Sequence, residues 1–254
     1  MIDAPARTAW YVYGVAEDEA ALSRLEGVEL IRQGRLTAVV RKVSLDEYDE
    51  AVLPERLNDR DWLERNARAH EDVLQSAAAV TTIVPLRFGA IYRSREQVGQ
   101  MLDERSDEFR STLERVRGHV ELGVKVWVDL QKLERTFGAD EEPSAAKAGA
   151  AYLQRRRLEQ ERSRERAARC AQLAEEAHAR LSAVASAAVA NRPQPRELTG
   201  RSEPMLLNGA YLVRDGDDGL RREVERLATE HAELGLEYEL TGPWPPHNFA
   251  GEGQ

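Results

Sequence analysis

At 254 residues, 42% of them hydrophobic and 32% charged, the chain holds enough apolar material for packed cores and too much for a disordered polymer; at roughly 150 residues per domain it predicts two domains. A net charge of −9 disfavours a dedicated nucleic-acid binder, and a single cysteine, Cys170, excludes an internal disulfide framework. No apolar run nears the ~20 residues of a membrane span, and the opening Met1-Ile2-Asp3-Ala4-Pro5 has no basic-then-apolar leader, so no membrane association and a cytoplasmic location are expected.

Residues 8–15 (Thr-Ala-Trp-Tyr-Val-Tyr-Gly-Val) are aromatic and β-branched and predict an opening strand. Residues 28–31 and 36–43 predict two more strands, paired as a hairpin about Gly34. Beyond Asn58, the residues Leu63, Ala67, His70, Leu74 and Ala77 recur at steps of three and four, the period of one helix face, with Asn58 or Asp59 as cap. Residues 80–92 return to strand chemistry, but Pro85 cannot donate to a ladder and should lie at an edge or a bend. A second amphipathic helix is expected over about 95–117, with Val98, Met101, Leu102, Phe109, Leu113 and Val116 on or near one stripe and Gly118 as its stop.

Residues 120–130 alternate apolar and polar and predict a half-buried strand. A long helix is expected over about 144–191, closed by Pro193 and Pro195 and on the order of 70 Å long, so that it overhangs any small domain. Short strands near 197–201 and 205–214 follow. Next comes a helix capped by Asp217 or Asp218, with Leu220, Val224, Leu227 and His231 or Leu234 on one face, and then a last strand at 236–241. From residue 120 the order is βαββαβ, that of a ferredoxin-like domain. The expected class is α+β with two domains: an N-terminal α+β domain over 1–118, and a C-terminal ferredoxin-like domain over 119–254 with one long, partly protruding helix and a tail rich in proline and tryptophan.

Spacings that carry chemistry do not emerge. The five histidines form no His-Glu-x-x-His pair, and Glu175, Glu176 and His178 share one turn as an Ala- and Glu-rich helix allows by chance. There is no phosphate-binding Gly-x-x-x-x-Gly-Lys-Ser/Thr loop and no Gly-x-Ser-x-Gly elbow. No catalytic, cofactor-binding or metal-binding residue is assigned, and no cofactor is expected. An enzyme or small-ligand binder on a ferredoxin-like scaffold is the main alternative, because that fold hosts many activities.

Two surfaces stand out instead. Residues 154–169 carry seven arginines against three glutamates with Leu158 as the one large apolar residue, which fits either a solvated helix held by pairs such as Arg155 with Glu159 or a basic docking face for an acidic partner. The segment lacks sustained heptads, which argues against a coiled-coil adaptor but leaves self-association through the helix open. In residues 241–249, Thr-Gly-Pro-Trp-Pro-Pro-His-Asn-Phe, three prolines stiffen an aromatic-bearing tail that either pins the C-terminus or presents a rigid apolar finger to a protein.

The ending Gly242-Pro243-Trp244-Pro245-Pro246 closely resembles the C-terminal Gly-Pro-Trp-Pro-Pro-Tyr-x-Phe motif of the gas vesicle protein F/L family. Three further stretches agree in order: Pro85-Leu86-Arg87-Phe88-Gly89, Gly123-Val124-Lys125-Val126, and Leu207-Asn208-Gly209-Ala210-Tyr211-Leu212-Val213. His247 stands where tyrosine is usual in the family, and Gly209 where alanine is common.

The resemblance implies a non-enzymatic accessory or minor component of gas vesicles, protein shells assembled in the cytoplasm from a small, very hydrophobic shell protein. It implies binding to that shell protein and to other accessory proteins, a role in early assembly, and a location in the cytoplasm and at the vesicle. The expected contact surface is the C-terminal domain's sheet edge with the adjoining tail, and the candidate protein-binding residues are Trp244, Pro245, Pro246, Phe249 and Tyr211.

Overall fold

In the computed structural model, which describes residues 7–136 and 148–251, the opening strand β1 (Thr8–Ala16) is buried almost end to end. The chain divides into two units, Met1–Glu121 with Trp244–Gln254, and Leu122–Pro243. The tail, grouped from sequence with residues 119–254, thus clusters with the first unit from Trp244 onward.

In the first unit, β1 is followed by α1 (Glu19–Leu22), β2 (Glu29–Gln33) and β3 (Leu36–Ser44), then by α2 (Leu45–Tyr48), α3 (Leu53–Asn58) and α4 (Arg60–Ala78). Two short strands, β4 (Val84–Pro85) and β5 (Ile91–Tyr92), precede α5 (Arg95–Glu104) and α6 (Ser106–Val116). The sheet order is β2-β3-β1-β4, with β5 also on β1. β2 and β3 form the expected hairpin, and Gly34 takes φ +58° in its two-residue turn, a conformation that costs glycine little. Pro85 lies opposite Gly14 at the sheet edge, where its missing amide breaks no ladder.

β1 has few polar residues because both of its faces are covered. Trp10, Val12 and Val15 join a core with Val98, Met101 and Leu102 of α5 and Phe109 and Leu113 of α6. Tyr11, Tyr13 and Ala16 face a second core with Leu74 and Ala77 of α4. Asp59 caps α4 by accepting from the amides of Asp61 and Trp62. The buried face of α4 is Trp62, His70, Leu74 and Ala77, while Ala67 stays exposed, because Trp62 turns inward against Tyr48 and Phe88. The helix expected over 95–117 is broken at Arg105 into α5 and α6, and Gly118, at φ +68°, ends the run.

The second half contains β6 (His119–Val128), α7 (Leu130–Thr136), α8 (Ala148–Ala183), β7 (Ala187–Asn191), α9 (Arg196–Thr199), β8 (Met205–Arg214), α10 (Gly219–Glu230) and β9 (Leu236–Trp244). The order β7-β8-β6-β9 in an antiparallel sheet is that of a ferredoxin-like domain. The long helix is shorter than expected: α8 spans 36 residues, roughly 54 Å at 1.5 Å per residue, and its expected start at Ser144 lies outside the described residues. Residues 187–191, taken from sequence as the helix end, are instead β7, paired with β8 from Ala187–Leu212 to Asn191–Asn208. The strand expected at 197–201 is replaced by the single turn of α9 and a bend. Alanine favours helix over strand, and the ladder with β8, a contact distant in sequence, overrides that preference here.

Gly14 is required by close approach rather than by its φ. A Cβ there would sit 2.8 Å from the Val84 carbonyl oxygen and 2.8 Å from Ile83 Cδ1. Because β4 pairs with β1 at that carbonyl, the neighbour cannot yield freely, and Gly14→Ala is expected to cost about 1–3 kcal/mol. Urea unfolding of the full chain measures it.

Candidate protein-interaction surfaces

The tail is anchored in the first unit by both apolar and polar contacts. Pro245 and Pro246 are buried, Phe249 is 7% exposed and Trp244 is half-buried. Arg115 of α6 donates from Nη2 to the Phe249 carbonyl at 2.9 Å. Glu121, 4% exposed, accepts from the Asn248 amide at 2.8 Å and from its Nδ2 at 2.6 Å. Burial pushes the Glu121 carboxyl up in pKa against the opposing pull of those bonds. His247 Nε2 lies 2.9 Å from Glu71 Oε2; burial alone would raise Glu71, but the hydrogen bond and charge of His247 outweigh it and hold the carboxyl below its usual value.

A second polar network fixes the Pro85-Leu86-Arg87-Phe88-Gly89 stretch. The Gly89 amide donates to the Tyr11 hydroxyl at 3.1 Å, which leaves that hydroxyl to donate to His70 Nδ1 at 2.8 Å. A backbone hydrogen bond with Leu86 pulls the His70 pKa up, against its burial. Phe88 stands edge-on to Tyr11, Trp62 and His70, with centroids 6.1, 6.3 and 5.8 Å away. Burial first, and the charge of His247 second, push His70 down to about 4. This stretch and the tail then meet: residues 84–90, Arg105, Glu108, Phe109, Ala250 and Gly251 line a groove of about 280 Å³.

Tyr211, by contrast, lies in the second unit with no exposed surface, its hydroxyl 2.9 Å from His178 Nδ1. Gly209 permits this, since a Cβ there would come within 2.5 Å of the Tyr211 ring. Gly123 likewise leaves room for the Thr241 hydroxyl, which donates to its carbonyl at 3.4 Å. Four of the five expected binding residues, all but Trp244, are therefore buried. The structure does not bring Tyr211 together with the tail residues in one unit.

The strand edges differ sharply. β2 is covered by Arg95, which donates to the Leu30 carbonyl, and by the Gln33–Asp103 bond. β4 is two residues long and holds a proline. β9 carries Glu237, Glu239 and Pro243. β7 is Ala-Ala-Val-Ala-Asn, without charge or proline, and the nearby Val184 and Leu198 are 38% and 71% exposed. Among the described residues no group of three or more His, Cys, Asp or Glu could hold a metal, and no helix is long and apolar enough to cross a membrane.

A family model described as gas vesicle synthesis protein GvpL/GvpF matches residues 9–251. The chain belongs to the GvpL/GvpF family. It is 39% identical over 230 residues to a gas vesicle protein L of Streptomyces sp. (strain CB03234), covering 89% of this chain and 84% of that one. It is 29% identical to a gas vesicle protein F of the same strain, over 94% of this chain and 98% of that one. The crystal structure of the gas vesicle protein GvpF from Anabaena sp. PCC7120 superposes with TM-score 0.72 at 20% identity, covering 97% and 98% of the two chains, and shares the fold. The four motifs that resemble this family now have physical roles: two make the seam of the GvpL/GvpF first unit, and two allow close approach in its ferredoxin-like sheet.

Two outcomes are expected. Phe249→Ala should cost about 3–5 kcal/mol, and Trp244→Ala less because the indole is half-exposed, as chemical denaturation would show. His70 binds its proton more weakly folded, near 4, than unfolded, at 6.5, so its contribution is full above about pH 6.5 and is lost as pH falls toward 4. The loss is on the order of 3 kcal/mol, read as a falling melting temperature of the first unit, and His70→Gln should flatten that slope.

Proposed function

We propose that this chain is a non-enzymatic, cytoplasmic accessory protein of gas vesicle assembly that holds the hydrophobic shell protein by adding one of its strands to the free edge of β7. Membership of a gas vesicle family supports the setting. The observation that carries the mechanism is the edge of β7, on whose outer side no strand pairs among the described residues: five residues with no charge and no proline. Soluble proteins normally blunt such edges, because open amides and carbonyls template further strands. An edge kept open suits a protein whose task is to pair with an aggregation-prone strand until that strand enters the wall, with main-chain hydrogen bonds supplying affinity.

The tail then acts indirectly. Pro245, Pro246 and Phe249 hold the C-terminus in place, Tyr211 holds β8 against α8, and only Trp244 keeps surface to offer. Nucleic acid has no part in this reading, and other accessory proteins are left to the remaining surface.

Ala190 is exposed on β7, so Ala190→Lys adds the guard charge that the edge lacks at little folding cost. With co-expressed tagged shell protein, the full-length wild type should retain it and Ala190→Lys should retain at least tenfold less at an unchanged melting temperature. Equal retention by both proteins overturns the β7 site; failure of the wild type to retain shell protein overturns the binding itself.

A further inference from the structure

Residues 154–172 of α8 contain no buried side chain, and among the described side chains of the helix the buried ones are Leu173, Ala177 and Leu181, at 4%, 0% and 0% exposure. Within the exposed half, Arg166 pairs with Glu134 of α7. Arg155, Arg156, Arg157 and Arg164 are exposed, and among the described residues no ion pair engages them, including the expected pair of Arg155 with Glu159. Holding this much positive charge together on one solvated helix gains nothing for the fold, since the exposed pairs that could offset it are worth only ~0.3–0.5 kcal/mol each. A solvent-facing concentration of one sign is instead what steers and orients a complementary surface.

We propose that the arginine-rich half of α8 docks a second copy of this chain, which it takes by the acidic segment at residues 46–61. The occupant has to be acidic, and the chain itself supplies that surface: residues 154–169 carry a net of +4, so the rest of the chain, with −9 overall, carries −13. Residues 46–61 hold seven acidic side chains against two basic ones in the same number of residues as the arginine segment. Asp46, Glu47, Glu50, Glu55, Asp59 and Asp61 are exposed, whereas Asp49 is engaged by Arg7. Two different segments joined copy to copy close into a two-fold dimer when both contacts form at once, and extend into a ring or open chain when each copy gives its basic segment to one neighbour and its acidic segment to another. This inference stands apart from strand capture at β7, which uses neither segment.

Analytical ultracentrifugation of the full chain tests it. Near 0.1 M salt the mean mass should rise with concentration, and near 1 M salt the association should weaken at least tenfold, because the Debye length shortens from about 10 to 3 Å. The quadruple variant Arg155→Glu, Arg156→Glu, Arg157→Glu, Arg164→Glu should be monomeric. So should Glu47→Lys, Glu50→Lys, Glu55→Lys, Asp61→Lys. All eight positions are exposed, so both variants should keep the wild-type melting temperature, and mixing the two should restore association between them. A monomeric wild type at every concentration, association that survives the acidic-segment reversal, or reversed variants that fail to associate when mixed would each overturn the proposal. Binding that appears only with a different acidic protein overturns the second copy as occupant.

Discussion

The hydroxyl of Tyr11 sits in the middle of the strand on which the first unit is built, 3% exposed, and it has to be satisfied there. A buried hydroxyl left without a partner costs on the order of 1–3 kcal/mol. Its two partners are the Gly89 amide and His70, which tie the connection between β4 and β5 and the helix α4 to the same central strand. His70 can play this part only when neutral, and its burial ensures that it is. The Pro-Leu-Arg-Phe-Gly stretch is thus folded by need: proline ends the ladder, phenylalanine fills the aromatic cluster, and Gly89, at φ +84°, turns its amide toward the hydroxyl.

The tail obeys the same rule. Its prolines donate nothing, so the chain can be buried with fewer amides to satisfy, and the amide of Asn248, with its side chain, is given to a buried carboxylate. His247, which replaces the family's usual tyrosine, meets Glu71 instead of presenting a hydroxyl. A segment bound this tightly is part of the architecture, and recognition falls to surfaces that the folded units leave uncommitted.

Two such surfaces stand out among the described residues, and they differ in physics. The β7 edge offers unpaired backbone without charge and is suited to strands. The outer half of α8 offers charge without apolar area and is suited to a soluble acidic surface. In the proposed reading, one chain holds an insoluble partner by main-chain bonds while contacts among soluble copies stay weak and dependent on salt.

Much of the fold was legible in the sequence because strong local patterns agreed with the tertiary answer. The aromatic run of β1, the turn at Gly34, the stripe of α10 and the alternation of β6 each left one element that fitted. The edge position of Pro85 followed from a missing donor. Where tertiary pairing overrode local preference, the chain alone misled: the alanine-rich residues 187–191 read as the end of the long helix until β8 supplied a ladder for them. The motif residues Trp244, Pro245, Pro246, Phe249 and Tyr211 were legible as special, and the family to which they point was legible with them. Their burial was not, because hydrogen bonds such as Asn248 with Glu121 and Tyr211 with His178 join positions 127 and 33 residues apart. Composition and local period determined most of the strands and helices and the charged faces; only long-range pairing decided that 187–191 is a strand, which apolar residues are core and which strand edge lacks charge and proline.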